Sequence, residues 1–158
     1  MAYTFTREAP TGELVRNMAG PTTSGVTYVS PFWVKLALAS GSTNAFAVAQ
    51  QNPFGVNVLV SRAVVDITTA GGTATSVLDV DVVGTATDTG DDIFGGVDAN
   101  AAAISDSLNG TDNGTNGEGK SWKWEKAGGT NAFVTAKILV ANAASLAGNL
   151  YLQCVPAE

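Results

Sequence analysis

Val56-Asn57-Val58-Leu59-Val60-Ser61-Arg62-Ala63-Val64-Val65-Asp66-Ile67 is the stretch on which the fold turns. Its apolar residues recur at every second position, the period of a strand with one buried face. The first set is Val56, Val58 and Val60; the second is Ala63, Val65 and Ile67. Between them the phase slips by one residue at Ser61 and Arg62. In a regular strand such a slip would turn one set away from the core. The stretch therefore predicts a β-bulge or a strand that changes sheets.

The same period runs outward in both directions. Phe32, Val34, Leu36 and Leu38 alternate with Trp33 and Lys35, and Leu78, Val80 and Val82 alternate with Asp79 and Asp81. Ala132, Val134, Ala136, Ile138 and Val140 alternate with Phe133, Thr135 and Lys137. Leu150, Leu152 and Cys154 close the series against Asn149, Tyr151 and Gln153. Glycine-rich turns separate these runs at residues 41–44, 70–73, 109–119 and 127–129. One segment is a candidate helix, residues 97–108: Asp98 would cap it, with Val97, Ala101, Ile104 and Leu108 on one face, and a small-residue loop is the competing reading. The segment Gly41-Ser42-Thr43-Asn44-Ala45-Phe46-Ala47-Val48-Ala49 echoes residues 128–136 at six of nine positions, a shared turn-into-strand chemistry.

Strands at regular spacing with tight turns predict an all-β protein: a single β-sandwich or jelly-roll-like domain over residues 32–158. Residues 1–31 differ in texture. Pro10, Pro21 and Pro31 punctuate a stretch rich in Thr, Ser and Gly, the composition of an extended N-terminal arm that follows another surface; a frayed terminus with one edge strand is the alternative. Tyr3, Phe5, Leu14, Val15 and Met18 would be unusual in a purely solvated tail, so they are read as interface residues.

Composition narrows the function. The 158 residues include no histidine and one cysteine. That excludes an internal disulfide, a Cys/His zinc site and any histidine-based triad. No nucleophile elbow, phosphate loop or dinucleotide fingerprint is present, so no enzyme activity and no cofactor are expected. The charged fraction is 14% and the net charge −6, against a charged fraction of roughly 25% in ordinary domains. Residues 63–119 hold ten of the fourteen carboxylates and no Lys or Arg. Such a span repels phosphate backbones, which argues against nucleic-acid binding. No apolar run approaches a membrane span and the start lacks a signal-peptide pattern, so cytoplasmic synthesis is expected.

Three constellations are candidate sites. Asp79 and Asp81 leave one strand face about 6–7 Å apart, the spacing of a chelating or hydrolytic pair; the competing reading is a solvent-facing strand with nothing nearby to raise either pKa. Asp88, Asp91, Asp92 and Asp98 lie among glycines, as in calcium loops, although no EF-hand register fits. Trp122 and Trp124 share a strand face and suit a sugar-stacking platform, an interface anchor or the core. Trp33, opposite Phe32 and Leu36, suggests a strand covered on both faces.

Residues 64–80, then 95–103, 114–120, the small-residue loop 141–147 and the closing Gly148-Asn149-Leu150-Tyr151-Leu152 resemble small virion structural proteins of tailed bacteriophages, of the capsid decoration or cement type. The likeness spans residues 56–155. It implies a β-sandwich or jelly-roll-like homotrimer seated on the major capsid protein at the virion surface, bridging neighbouring capsid subunits against the pressure of packaged DNA. A tail or fibre subunit and a carbohydrate-binding β-sandwich module are the alternatives.

Overall fold

The structure, a computed structural model, describes residues 31–73, 75–109, 112, 114 and 120–157. Nine strands follow one another: β1 (Phe32–Leu38), β2 (Phe46–Gln51), β3 (Asn57–Thr69), β4 (Val77–Val83), β5 (Phe94–Asp98), β6 (Ile104–Asp106), β7 (Trp122–Trp124), β8 (Phe133–Leu139) and β9 (Ala147–Ala157). They form two antiparallel sheets. One has the order β1-β9-β3-β6, with β7 also pairing β3; the other runs β2-β8-β4-β5. Their inner faces meet in one core, giving the all-β sandwich that the alternation predicts.

Strand β3 is the spine, and its phase slip is a β-bulge. Val60 stands opposite Cys154 and Arg62 opposite Gln153, so Ser61 is the extra residue. The bulge returns both apolar sets to one side: Val58, Val60, Ala63 and Val65 are fully buried and Ile67 nearly so. Two short strands share the other edge of β3. Before the bulge β7 pairs Val58 to Val60, and after it β6 pairs Val64 to Asp66.

Between these strands Ser107 completes the ladder. Its hydroxyl accepts the Ala63 N–H at 2.9 Å, and its own N–H donates to the Ala63 carbonyl at 3.0 Å.

The second sheet repeats the logic. Leu78 and Val80 of β4 and Val134, Ala136 and Ile138 of β8 carry its inner layer. The two halves of the internal echo lead into β2 and β8, which pair with each other, Phe46 with Lys137 and Gln51 with Phe133.

The candidate helix over residues 97–108 does not form, and no helix occurs among the described residues. Val97 is a core residue of β5, opposite Leu78. Ala103 exchanges backbone hydrogen bonds with Ile67, drawing Ile104–Asp106 onto β3. The proposed apolar helix face is not buried either, with Ile104 70% and Leu108 39% exposed. Asp98 does accept a backbone N–H, from Asn100 at 2.8 Å, but it closes a turn. Alanine-rich helices this short need packing to persist, and here sheet pairing takes the backbone.

Candidate functional site

Seven of the eight connections between strands lie at one end or the other of the sandwich, and the ends differ in charge. The eighth joins β6 and β7, which share one edge of β3. At one end lie residues 39–45, 70–73, 75–76, 99–103 and 140–146, which contain no Asp, Glu, Lys or Arg, with Asp98 at the foot of the 99–103 connection. At the other lie 52–56, 84–93 and 125–132, which contain four carboxylates and one lysine. One pole is uncharged and the opposite pole is acidic.

The uncharged pole is knitted together by its backbone. Gly41 exchanges hydrogen bonds with Ala143, Gly71 donates to Ala99, Ser145 donates to Gly71, and Ala99 donates to Ser76. Asn142 accepts both the N–H and the hydroxyl of Thr43. Small side chains make this approach possible: a Cβ on Gly71 would stand 2.8 Å from that of Ala143. From this rigid platform projects Val140, 70% exposed. Its φ is 66°, a region that β-branched residues avoid. The Ala141 N–H bonds the Leu139 carbonyl at 2.8 Å and closes a tight γ-type turn around it. Ile104, equally exposed, stands near the same end beside Asp66.

The carboxylate pair stands differently from the expectation of an open strand. Asp79 and Asp81 do share the outer face of β4, opposite Lys137 and Thr135 of β8. However, the 84–93 connection folds back over them, and Asp81 is buried. Gly90 rests so close that a Cβ there would overlap Asp81 Oδ2. The Thr135 hydroxyl holds the connection by donating to the Asp88 carbonyl at 3.2 Å. Burial pushes the Asp81 carboxyl up to about 6; the Val82 N–H works against that rise, while Asp92 and Asp91 add to it. Burial also raises Asp79, partly offset by the Gly96 N–H at 2.7 Å. The premise that nothing nearby perturbs this pair is therefore corrected.

The four calcium candidates are not brought together. Asp88 accepts the Thr85 N–H at 3.0 Å and Asp98 closes its turn, while Asp91 and Asp92 lie towards Asp81. No cluster of three or more carboxylate or thiol groups suited to a metal exists among the described residues.

Trp122 and Trp124 belong to the core. Trp124 is fully buried, its indole N–H donates to the Ala132 carbonyl at 3.0 Å, and Phe54 meets it edge-on at 6.0 Å. Asn52 clamps the surrounding chain, donating to the carbonyls of Trp124 and Val56 and accepting the Phe54 N–H. Trp122 is also buried, with its indole nitrogen unpartnered. Neither ring is available as a sugar platform or an interface anchor, a correction of both readings.

Trp33 is the exposed member of the set, at 49%. The Arg62 guanidinium lies 5.9 Å from its ring centre and is paired with Asp106. Tyr3, Phe5, Leu14, Val15 and Met18 lie outside the described residues. Cys154 is buried, which pushes its thiol up to about 12 and leaves it unreactive. Among the described residues no helix is long and apolar enough to cross a membrane. Comparison with known protein families, with curated proteins and with solved structures finds no match to this chain in any of the three.

Proposed function

We propose that this chain is a capsid-decorating structural subunit that docks on an assembled protein lattice through its uncharged pole. The observation that carries this reading is the contrast between the two ends of the sandwich. Interface cores are depleted of charge, because each buried charge must lose its water. Four connections without one charged residue among them, braced by cross-loop hydrogen bonds, suit such a surface. The exposed Val140, held in a strained turn, supplies an apolar contact that the isolated subunit does not use.

The mechanism is mechanical. Each subunit contributes a modest contact, and many copies bridging neighbouring lattice subunits add up to resistance against outward pressure. The acidic pole then faces solvent and keeps the decorated surface repelling nucleic acid and other copies. The resemblance to phage decoration proteins supports the same reading, and nothing in it requires a cofactor. The carbohydrate-binding alternative has lost its platform, since both tryptophans are in the core.

The test adds purified chain to particles stripped of it and measures binding. Val140→Asp and Ile104→Lys should abolish attachment, whereas Thr85→Asp and Thr87→Asp at the acidic pole should leave it intact. Equal attachment of all four variants would overturn the reading.

A further inference from the structure

Asp81 of β4 is a buried carboxylate on the outer face of its sheet, and Thr135, its partner across β8, is buried too. Their cover is the 84–93 connection. Gly90 rests so closely on Asp81 Oδ2 that no side chain fits between them. The Thr135 hydroxyl grips the middle of the connection, donating to the Asp88 carbonyl at 3.2 Å. The Ile93 N–H ties its far end to the Val80 carbonyl at 3.0 Å.

The groups around Asp81 are arranged against its ionised form. The connection brings Asp92 and Asp91 towards it, and Asp79 lies two residues away on the same face of β4. From β8 the neutral Thr135 stands directly opposite; Lys137 stands opposite Asp79 and leans over the Phe46 ring at 5.6 Å. From β5 come Gly95, which packs against Asp91, and Gly96, whose N–H donates to Asp79 at 2.7 Å. Asp81 itself accepts the N–H of its neighbour Val82 at 2.6 Å. An ionised carboxylate under this cover gives up its water and faces like charges. A protonated one avoids both penalties.

We infer that the 84–93 connection is a pH-operated latch, seated on β4 and β8 while Asp81 holds a proton and lifted when that proton leaves. Lifting returns water to the carboxylate and separates it from Asp91 and Asp92. The seated form keeps the proton up to about pH 6, whereas an open carboxyl releases it near the ordinary 3.8. The opening equilibrium therefore grows as pH rises, by about fifty-fold between pH 4 and pH 7, most of it below pH 6. Asp79 is less buried and shifts in the same direction, so it adds to the response without setting it. The response is local: one connection opens while both sheets stay paired. Because the latch lies at the acidic pole, it stands independently of docking through the uncharged one.

Native-state hydrogen exchange of the full chain tests this, read residue by residue as protection factors from pH 4 to pH 7. Protection of the Val82 amide should fall by about fifty-fold across that range. Low urea should leave Val82 exchange unchanged, because a local opening exposes little new surface. The buried Ala63 and Ile67 amides of the first sheet should exchange faster in the same urea. Asp81→Asn keeps the acceptor for Val82 but cannot ionise, so Val82 should stay protected at pH 7 with a flat profile. Constant Val82 protection in the natural chain, a pH dependence that survives Asp81→Asn, or urea sensitivity equal to that of Ala63 would each overturn the inference.

Discussion

Ala63 and Ser107 close a two-way bond across the β3 bulge: the Ala63 N–H meets the Ser107 hydroxyl, and the Ser107 N–H meets the Ala63 carbonyl. Both residues are buried. The bulge that rescues the hydrophobic phase of β3 therefore depends on one hydroxyl to complete the ladder between β7 and β6. Ser107→Ala would leave the Ala63 N–H buried without a partner, at a cost of about 1–3 kcal/mol. Urea denaturation should show a lower midpoint with an unchanged slope. Ser107→Thr keeps the hydroxyl and should lose less.

Asp81 makes stability depend on pH in the direction opposite to most carboxylates. Its folded-state pKa is raised to about 6 from an ordinary 3.8. The folded state thus holds its proton more tightly than the unfolded chain. The associated stability is present below about pH 4 and is lost as pH rises through 6, an effect of about 3 kcal/mol. Asp106 has the opposite sign, because the Arg62 hydrogen bond lowers it and its contribution is lost as pH falls. Asp81→Asn should therefore raise stability at pH 7 and flatten the pH profile between 4 and 6. Thermal unfolding across that range, with Asp106→Asn as the contrasting variant, checks both signs.

Gly90 should be intolerant of any side chain. A Cβ at this position would stand 1.8 Å from Asp81 Oδ2, in a pocket closed by the buried Thr135. Gly90→Ala must displace either the Asp81 carboxylate or the 84–93 connection, and either shift opens Asp81 to water. Hydrogen exchange of Val82 should accelerate, and the Asp81 carboxyl should fall back towards the ordinary range.

The proposed docking role sets stability against attachment at Val140. Its left-handed backbone costs a β-branched residue about 1–2 kcal/mol, a cost glycine does not bear. Relief of that strain exceeds the backbone entropy a glycine adds, so Val140→Gly should raise the melting temperature by a few degrees. The same change removes the exposed apolar side chain and should weaken binding to particles. A variant that is both more stable and less well attached marks Val140 as a contact residue, since a purely structural role would move the two together.

The strands were legible because alternation is a local property. Phe32 to Leu38, Val56 to Ile67 and Ala132 to Ile138 each announce a face, and the slip at Ser61 announces the bulge. The false helix has a physical cause: Val97, Ala101, Ile104 and Leu108 satisfy a helical spacing, but their neighbours in space, Leu78 and Ile67, are distant in sequence. Burial of Asp81 was equally invisible, since it depends on a connection folding back over its own strand. Trp122 and Trp124 share a face whether that face is core or surface, so spacing alone does not sort them. The uncharged pole was present in the sequence as four separate charge-free connections. Only the strand order shows that they meet.

The central claim is that many copies of this chain sit on an assembled particle. Quantitative mass spectrometry of purified particles, calibrated against the major capsid protein, tests it most directly. The account predicts hundreds of copies per particle. Absence of the chain, or a handful of copies such as a tail or fibre component would give, would contradict it.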